Sequence, residues 1–299
     1  MTITLMSDRI HLTLEPGFGA RITTLTDRRS GRQWLVEGPC QGDAGDHAGY
    51  GAAEARGWDE CFPTIGRGVE PVWGNLRDHG ALWGRPWQVT AHPDVRHCTT
   101  VYQSPIFAFE RSLSLDGGAL AVAYSVTNRG SLQLPYLWSQ HALLATTPLD
   151  ELRLHGIGEL VTGTTRYDWP HHPARNLSRV GQLQEGFMQK SYGAAPKGAA
   201  AEVRGPDGGI RFDWSDDLQA FGLWLDYGGW PPDGPVHQIA FEPTTAMADD
   251  LVDAERVGQL RWLAPGATQC WSVCLSVIGP GNPDSLTSSF DTVRSGVRP

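Results

Sequence analysis

The segment 109–128, FERSLSLDGGALAVAYSVTN, contains the clearest indication of the fold. In its second half every other residue is large and apolar, namely Leu120, Val122, Tyr124 and Val126. Successive side chains of a β-strand point to opposite faces, so this period of two predicts a strand with one buried face. Gly117 and Gly118, which suit a tight turn, join the first half to the second. The segment therefore predicts two strands joined by a turn.

The same period recurs along the chain. Strand-like runs are RIHLTLE (9–15), AFGLWLDY (220–227), HQIAFEP (237–243) and QCWSVCLSVIG (269–279). A hairpin is predicted for AAAEVRGPDGGIRFDWS (199–215), and ADDLVDAERVG (248–258) is the one short helix candidate. Many strands with few helices predict an all-β protein, a large antiparallel β-sandwich. We expect a single domain over 1–299, with a division into two sandwiches as the alternative.

Composition and charge exclude several classes of partner. The chain is 40% hydrophobic and 19% charged, which is typical of a globular protein. Its net charge of −9 argues against nucleic acid or an anionic membrane as partner, because both need a basic surface. The first residues alternate instead of forming an apolar block, and no apolar run approaches a membrane span. We expect a soluble, cytoplasmic protein, and monomer and homodimer both stay open.

The five cysteines indicate neither a disulfide framework nor a structural zinc site, because their number is odd and no CxxC pair occurs. Cys270 and Cys274 share one face of a strand-like run and are interpreted as small, semi-buried residues. The same interpretation applies to Cys61. The cysteines thus give no indication of a structural metal site.

Two segments interrupt the alternation: GWDECFPTIG (57–66) and RDHGALWGRPW (77–87). Irregular segments on a β scaffold usually form the loops that carry function. Several of the 12 tryptophans lie near them or near the strands that follow. A single Trp is more often a core residue, but together they suit the flat faces of sugar rings.

Three side chains are candidates for chemistry: His79, His141 and Glu242. His79 lies in a polar loop, and His141 lies within an otherwise apolar strand. In the run HQIAFEP, Glu242 has the opposite parity from Ile239 and Phe241, so it faces away from the apolar side. Taken singly, each has an ordinary structural explanation.

Four phrases together resemble the aldose 1-epimerases, or galactose mutarotase-like proteins. They are GWDECFPTI (57–65), DHGALWGRPW (78–87), LPYLWSQHALLA (134–145) and FEPTTA (241–246). The resemblance implies a large antiparallel β-sandwich that holds a monosaccharide in an open cleft. It also implies that His79 binds the sugar, that His141 is the general acid and that Glu242 is the general base.

The resemblance further suggests residues that bind substrate. Arg56 is the best match to an arginine that helps to hold the sugar, and Asp226 is the candidate for the family's substrate-binding aspartate. Arg85, with Arg67 and Arg77, would suit an anionic sugar such as a phosphorylated or sulfonated hexose. General acid and base catalysis of this kind requires no metal, nucleotide or redox cofactor.

The chemistry agrees with these residue types. Exchange of α and β anomers requires removal of the C1 hydroxyl proton and protonation of the ring oxygen, so one carboxylate and one histidine suffice. A His-His-Glu metal site, as in metal-dependent isomerases or oxygenases, is the alternative, although no HxH or HExxH spacing occurs. A second alternative is a non-catalytic carbohydrate-binding module.

Overall fold

Two large antiparallel sheets make up most of the computed structural model, which describes residues 2–280 except 39, 41–43, 46–47 and 91–93. The ten-stranded sheet has the order β1-β2-β3-β4-β12-β22-β21-β18-β14-β15. Its strands are β1 Ile3–Met6, β2 Ile10–Glu15, β3 Arg21–Asp27, β4 Trp58–Cys61, β12 Ser139–Leu144, β14 Glu159–Thr162, β15 Thr165–Asp168, β18 Phe187–Ala194, β21 Ala220–Tyr227 and β22 His237–Thr244.

The eight-stranded sheet has the order β13-β19-β20-β24-β10-β9-β8-β7. Its strands are β7 Gln88–Val89, β8 His97–Gln103, β9 Phe107–Asp116, β10 Ala119–Asn128, β13 Glu151–His155, β19 Ala200–Gly205, β20 Gly208–Trp214 and β24 Thr268–Ile278.

Short elements complete the described chain. Three two-stranded sheets pair β5 Gly68–Glu70 with β6 Gly74–Leu76, β11 Leu134–Tyr136 with β23 Arg261–Leu263, and β16 His171–His172 with β17 Arg175–Asn176. The helices are the predicted α1, Leu251–Arg256, and a 3-10 turn at Leu183–Glu185. Within the described ranges, no helix is long and apolar enough to cross a membrane.

The main core lies between the two large sheets. Residues of β10 alternate between buried and half-buried, as their sequence predicts, and β10 pairs with β9 over 119–128 and with β24 over 119–127. Aromatic rings join the sheets: Trp58 contacts Phe212 at 5.7 Å between ring centroids, and Phe221 stacks on Trp214 at 5.6 Å. The predicted antiparallel β-sandwich is therefore confirmed. The predicted single domain extends over 281–299, outside the described residues, and stays a prediction.

Strand β22 presents its two sides to different environments. Ile239 and Phe241 belong to the core between the sheets, whereas Gln238 and Glu242 line a cavity on the opposite face. The parity deduced from the sequence is thus correct. Glu242 does not face open water, because its side chain is only 2% exposed.

Two details differ from the sequence-based expectation. GWDECFPTIG does not form a loop throughout, since Trp58–Cys61 is a buried strand in the large sheet. The alternation of this strand cannot be seen in the sequence, because the residue that faces the core, Glu60, is polar. Glu60 is nevertheless buried, and its Oε1 accepts a 3.1 Å hydrogen bond from Arg111 Nη1. Burial raises the pKa of Glu60 to about 7, although the Arg111 charge opposes that shift.

The predicted apolar strand around His141 is β12, whereas the first residues of LPYLWSQHALLA form β11, which belongs to a different sheet. Cys274 is buried, but Cys270 is exposed rather than semi-buried, because it lies near the start of β24 on the side away from the core. All five cysteines are free thiols.

Candidate active site

A cavity of about 270 Å³ opens on the outer face of the ten-stranded sheet. Pockets for small molecules begin at roughly this size, so the space suits a small molecule better than a polymer. It is lined by Tyr50, Ala55, Ile65, Asp78, His79, His141, Lys190, Trp224, Trp230, Gln238, Glu242 and Asp249.

The central strands of the sheet arrange the main polar groups in one row. Asp59 of β4 pairs with His141 of β12, and Glu242 of β22 pairs with Gly222 of β21. Between β12 and β22, Ser139 pairs with Thr244 and Leu143 with Ala240. The same register places His141 opposite Glu242. Since directly opposite side chains lie roughly 5 Å apart at Cβ, the acid and base candidates are neighbours on one face.

The buried ion pair of Arg21 and Asp59 positions the His141 ring. Its Nδ1 lies 2.9 Å from Asp59 Oδ1 and 3.2 Å from the Tyr50 hydroxyl. Asp59 Oδ2 in turn accepts a 2.7 Å hydrogen bond from Arg21 Nη2. Burial alone would raise the pKa of Asp59, but the Arg21 charge and the His141 hydrogen bond lower it to about 2. Because Nδ1 is engaged, Nε2 is the nitrogen left to exchange a proton with a ligand.

His79 occupies a turn whose backbone is tightly constrained. Its φ of 60° lies in the left-handed region, and its N–H donates to Ile65 O at 2.6 Å. Its Nδ1 lies 2.9 Å from Asp78 Oδ1, and its ring stacks on Tyr50 at 3.7 Å between centroids. Burial lowers the pKa of His79, although Asp78 opposes that shift. The His79 and His141 rings lie 4.7 Å apart between centroids.

Glu242 has a cationic partner that the sequence did not reveal. Its Oε2 forms an ion pair with Lys190 Nζ and accepts a 3.4 Å hydrogen bond from Ser139 Oγ. Gly222 lies beside it, and a Cβ at Gly222 would come within 3.2 Å of Glu242 Oε2. The glycine therefore leaves space next to the carboxylate.

Aromatic side chains and an amide complete the cavity. Trp224 and Trp230 are half-buried and line it, whereas Trp138 is fully buried in the core. Gln238 also lines it, and its Oε1 has no hydrogen-bond partner although the residue is 1% exposed. A hydroxyl group of a ligand is the kind of donor that would satisfy such an oxygen.

Three of the six predicted site residues meet in the cavity: His79, His141 and Glu242. Arg56 does not line it, and its Nη1 donates to Glu37 O at 2.8 Å. Asp226 does not line it either.

Asp226 and Arg85 lie outside the set of residues that line the cavity. The Asp226 Oδ1 accepts from the backbone N–H groups of Gly229 and Trp230, so it orders the turn that carries the Trp230 ring. Burial raises the pKa of Asp226, although these N–H groups oppose that shift. The half-buried Arg85 belongs to the loop after His79 but is not a lining residue.

Sequence reasoning missed four contributors: Asp59, Tyr50, Lys190 and Gln238. Asp59 could have been identified from the sequence, because it belongs to GWDECFPTI, one of the four phrases that carry the resemblance. Gln238 could have been identified as well, since it shares the parity of Glu242 on β22. Tyr50 and Lys190 occur in segments without any distinguishing pattern.

One group of side chains in the described ranges has the donor set and proximity of a metal site, and it differs from the His-His-Glu alternative. Sγ of Cys61 and a ring nitrogen each of His79 and His141 lie within 4.8 Å of one another. Glu242 is not a member of this group. Its carboxylate is instead bonded to Lys190 and Ser139.

No family model and no curated protein sequence matches the chain. Solved structures do match. A galactose mutarotase related enzyme from Lactobacillus acidophilus is 14% identical, with a TM-score of 0.71 over 96% of this chain and 100% of the other. A galactose mutarotase-like protein from Lactobacillus casei is 17% identical, with a TM-score of 0.70 over 93% and 100%. A proposed aldose 1-epimerase from Escherichia coli K12 is 18% identical, with a TM-score of 0.72 over 93% and 99%.

These similarities extend over nearly the whole length of each compared chain. The chain therefore has the galactose mutarotase-like fold, and the resemblance suggested by its four phrases is confirmed at the level of the fold.

Proposed function

We propose that this protein is an aldose 1-epimerase that interconverts the α and β anomers of a monosaccharide. The observation that carries the proposal is the position of His141 and Glu242, opposite each other on adjacent strands and both lining one small cavity. The comparison structures support a sugar ligand for this fold.

In the proposed reaction, Glu242 removes the proton from the C1 hydroxyl while His141 donates a proton from Nε2 to the ring oxygen. The C1–ring oxygen bond breaks and an aldehyde forms at C1. Rotation about the C1–C2 bond presents the other face of the aldehyde. As the ring closes, Glu242 gives its proton to the aldehyde oxygen and His141 takes the proton of the hydroxyl that attacks C1. Protons and electrons balance within the sugar and the two side chains, as general acid and base catalysis requires.

The remaining groups orient the reacting ones. Asp59 holds the His141 ring through Nδ1 and balances the positive charge of the ring in the protonated form. Lys190 and Ser139 fix one oxygen of Glu242, so the other oxygen is available for the C1 hydroxyl. His79, stacked on Tyr50, is placed to hydrogen-bond the sugar.

The charge of the cavity favours a neutral sugar. Three carboxylates line it, Asp78, Glu242 and Asp249, against the ammonium of Lys190 and the protonated ring of His141. None of the arginines considered for an anionic sugar is among the lining residues. A phosphate or sulfonate would therefore meet a net negative surface.

The test is the exchange Glu242→Gln, which keeps the shape of the side chain but removes the base. We expect the rate of anomer exchange, measured by NMR on a panel of neutral hexoses, to fall by about 10²-fold or more while sugar affinity changes little. The matched control is Glu110→Gln on the exposed side of β9, which should keep the full rate. A Glu242→Gln protein with a near-normal rate would show that Glu242 is not the base.

The two alternatives make different forecasts for the same protein. A metal-dependent isomerase would lose turnover on treatment with a chelator, which the acid-base reaction tolerates. A binding module would bind sugar without any exchange of anomers in the wild-type protein.

A further inference from the structure

A thiol lies beside the two histidines of the cavity. Cys61 is buried on β4, faces the same side of the sheet as Asp59 and pairs with Ser139 of β12. Its Sγ and a ring nitrogen from each histidine lie within 4.8 Å of one another. One thiolate and two imidazoles form a donor set that suits zinc, whereas magnesium and calcium prefer oxygen ligands.

Both imidazoles already have the partners that metal-binding histidines need. Asp78 Oδ1 lies 2.9 Å from Nδ1 of His79, and Asp59 Oδ1 lies 2.9 Å from Nδ1 of His141. Histidine ligands almost always donate their second N–H to a carboxylate or carbonyl, which fixes the orientation of the ring. Nε2 of each ring is then the nitrogen left for a metal.

We propose that Cys61, His79 and His141 form a zinc-binding site, and that Zn²⁺ bound there competes with the sugar. On binding, the Cys61 thiol loses its proton to solvent, so one thiolate and two neutral imidazoles hold the metal. A tetrahedral zinc ion keeps its nitrogen and sulfur ligands roughly 3.3–3.8 Å apart, so side-chain movements of about 1 Å close the site. Water takes the fourth position.

Competition follows from the shared histidines. His79 and His141 both line the sugar cavity, so a metal on their Nε2 atoms occupies the space that the anomeric carbon would need. Linkage then requires that zinc weakens sugar binding by the same factor as sugar weakens zinc binding. The existence of the metal site does not depend on the proposed epimerase activity.

The test uses Co²⁺ as a spectroscopic substitute for Zn²⁺ in the full-length protein after treatment with a chelator. A cobalt–thiolate bond produces an intense charge-transfer band in the near ultraviolet, which oxygen and nitrogen ligands alone do not produce. We expect the wild-type protein to show this band, and Zn²⁺ to remove it by displacing Co²⁺.

Variants identify the ligands. Cys61→Ser should abolish the band, whereas the matched control Cys274→Ser, a buried cysteine of the other sheet, should retain it. Asp78→Asn should keep the band but weaken zinc binding by about 10–100-fold, because it removes the carboxylate that orients His79. If circular dichroism shows that Cys61→Ser does not fold, Cys61→Ala and His79→Gln replace it, with loss of the band in the first and at least about 10-fold weaker binding in the second.

Two results would overturn the inference. The first is a wild-type protein without the band, and the second is an unchanged band in a folded protein that lacks Cys61. Zinc and sugar that bind without mutual effect would disprove the competition. A cobalt band in a protein without epimerase activity would leave the metal site standing and reject only the proposed function.

Discussion

His141 and Glu242 occupy opposite positions on two adjacent antiparallel strands, with Asp59 on the next strand beyond His141. The distance between the acid and base candidates is therefore set by the hydrogen bonds of a sheet rather than by a loop. Groups on rigid elements are held more precisely than groups on loops, and general acid and base catalysis depends on that precision. His79, by contrast, lies on a turn outside the sheet and lines the same cavity, with its backbone N–H bonded to Ile65 O.

The two histidines should differ in the kinetic constant that they affect. His141→Asn removes the proton donor, so kcat for anomer exchange should fall by about 10²-fold or more with little change in KM. His79→Asn removes a binding contact, so KM should rise while kcat stays near the wild-type value. Both constants follow from exchange rates measured by NMR over a range of sugar concentrations.

The control for this pair is His97→Asn, since His97 has a side chain that is 60% exposed and lies outside the cavity. It should leave both constants unchanged. A fall in kcat for His79→Asn as large as that for His141→Asn would contradict the assignment of His79 to binding alone.

The cavity should select sugars by charge. We expect a neutral hexose to bind at least about 10-fold more tightly than its phosphorylated form, because the carboxylates Asp78, Glu242 and Asp249 outnumber the cations Lys190 and protonated His141. Asp249→Asn should reduce this preference, because it removes one negative charge from the cavity. The amide oxygen can still accept the hydrogen bond from the Tyr192 hydroxyl. Isothermal titration with both sugars at two salt concentrations measures the effect. Tighter binding of the phosphorylated sugar would contradict it.

The ion pair behind His141 should matter for stability. Arg21 and Asp59 are 1% and 2% exposed at their side chains, so Asp59→Asn leaves a buried guanidinium without its counter-charge. We expect a loss of about 3–5 kcal/mol in the free energy of unfolding, measured with a denaturant. The double variant Arg21→Met with Asp59→Asn should lose less than the sum of the two single variants.

Glu151→Gln provides the comparison, because its partner Arg153 is 46% exposed and such surface pairs contribute about 0–1 kcal/mol. Equal losses at the buried and the exposed pair would show that the Arg21–Asp59 contact is not the cause.

Stability should decrease at low pH through Glu202, which lies on the eight-stranded sheet away from the cavity. Burial alone would raise the pKa of Glu202, but hydrogen bonds from His155, Arg204 and Arg211 lower it from 4.5 to about 2. The unfolded chain thus binds a proton at a higher pH than the folded chain does. The contribution of Glu202, about 3 kcal/mol, is complete above pH 4.5 and is lost as the pH falls to about 2.

Unfolding free energies at several pH values check this expectation. Glu202→Gln should lower stability near neutral pH and flatten its dependence on pH between 4.5 and 2. Glu110→Gln, on the exposed side of β9, should keep the wild-type dependence. Parallel curves for wild type and Glu202→Gln would exclude the proposed contribution.

Local pattern was sufficient to predict several of the strands and the side of β22 that Glu242 faces. The run 119–128 forms β10, the hairpin turn falls at Pro206 and Asp207, and Phe241 is buried on the core side. These features follow from a period of two and from turn chemistry, both of which act between near neighbours in the chain. Trp58–Cys61 was missed because Glu60 points into the core, where Arg111 on another sheet satisfies it.

The site itself was decided by tertiary structure. Asp59 and His141 are 82 residues apart, and Lys190 and Glu242 are 52 apart, yet each pair meets through strand order and register. From the sequence, Cys61 is interpreted as a small, semi-buried residue. In the structure, β4 brings its Sγ within 4.8 Å of a ring nitrogen of each of two histidines. The sequence by itself determined which way each side chain points along its own strand. Only the folded sheet determined which side chains become neighbours, because strand pairing depends on contacts between distant segments that no local pattern encodes.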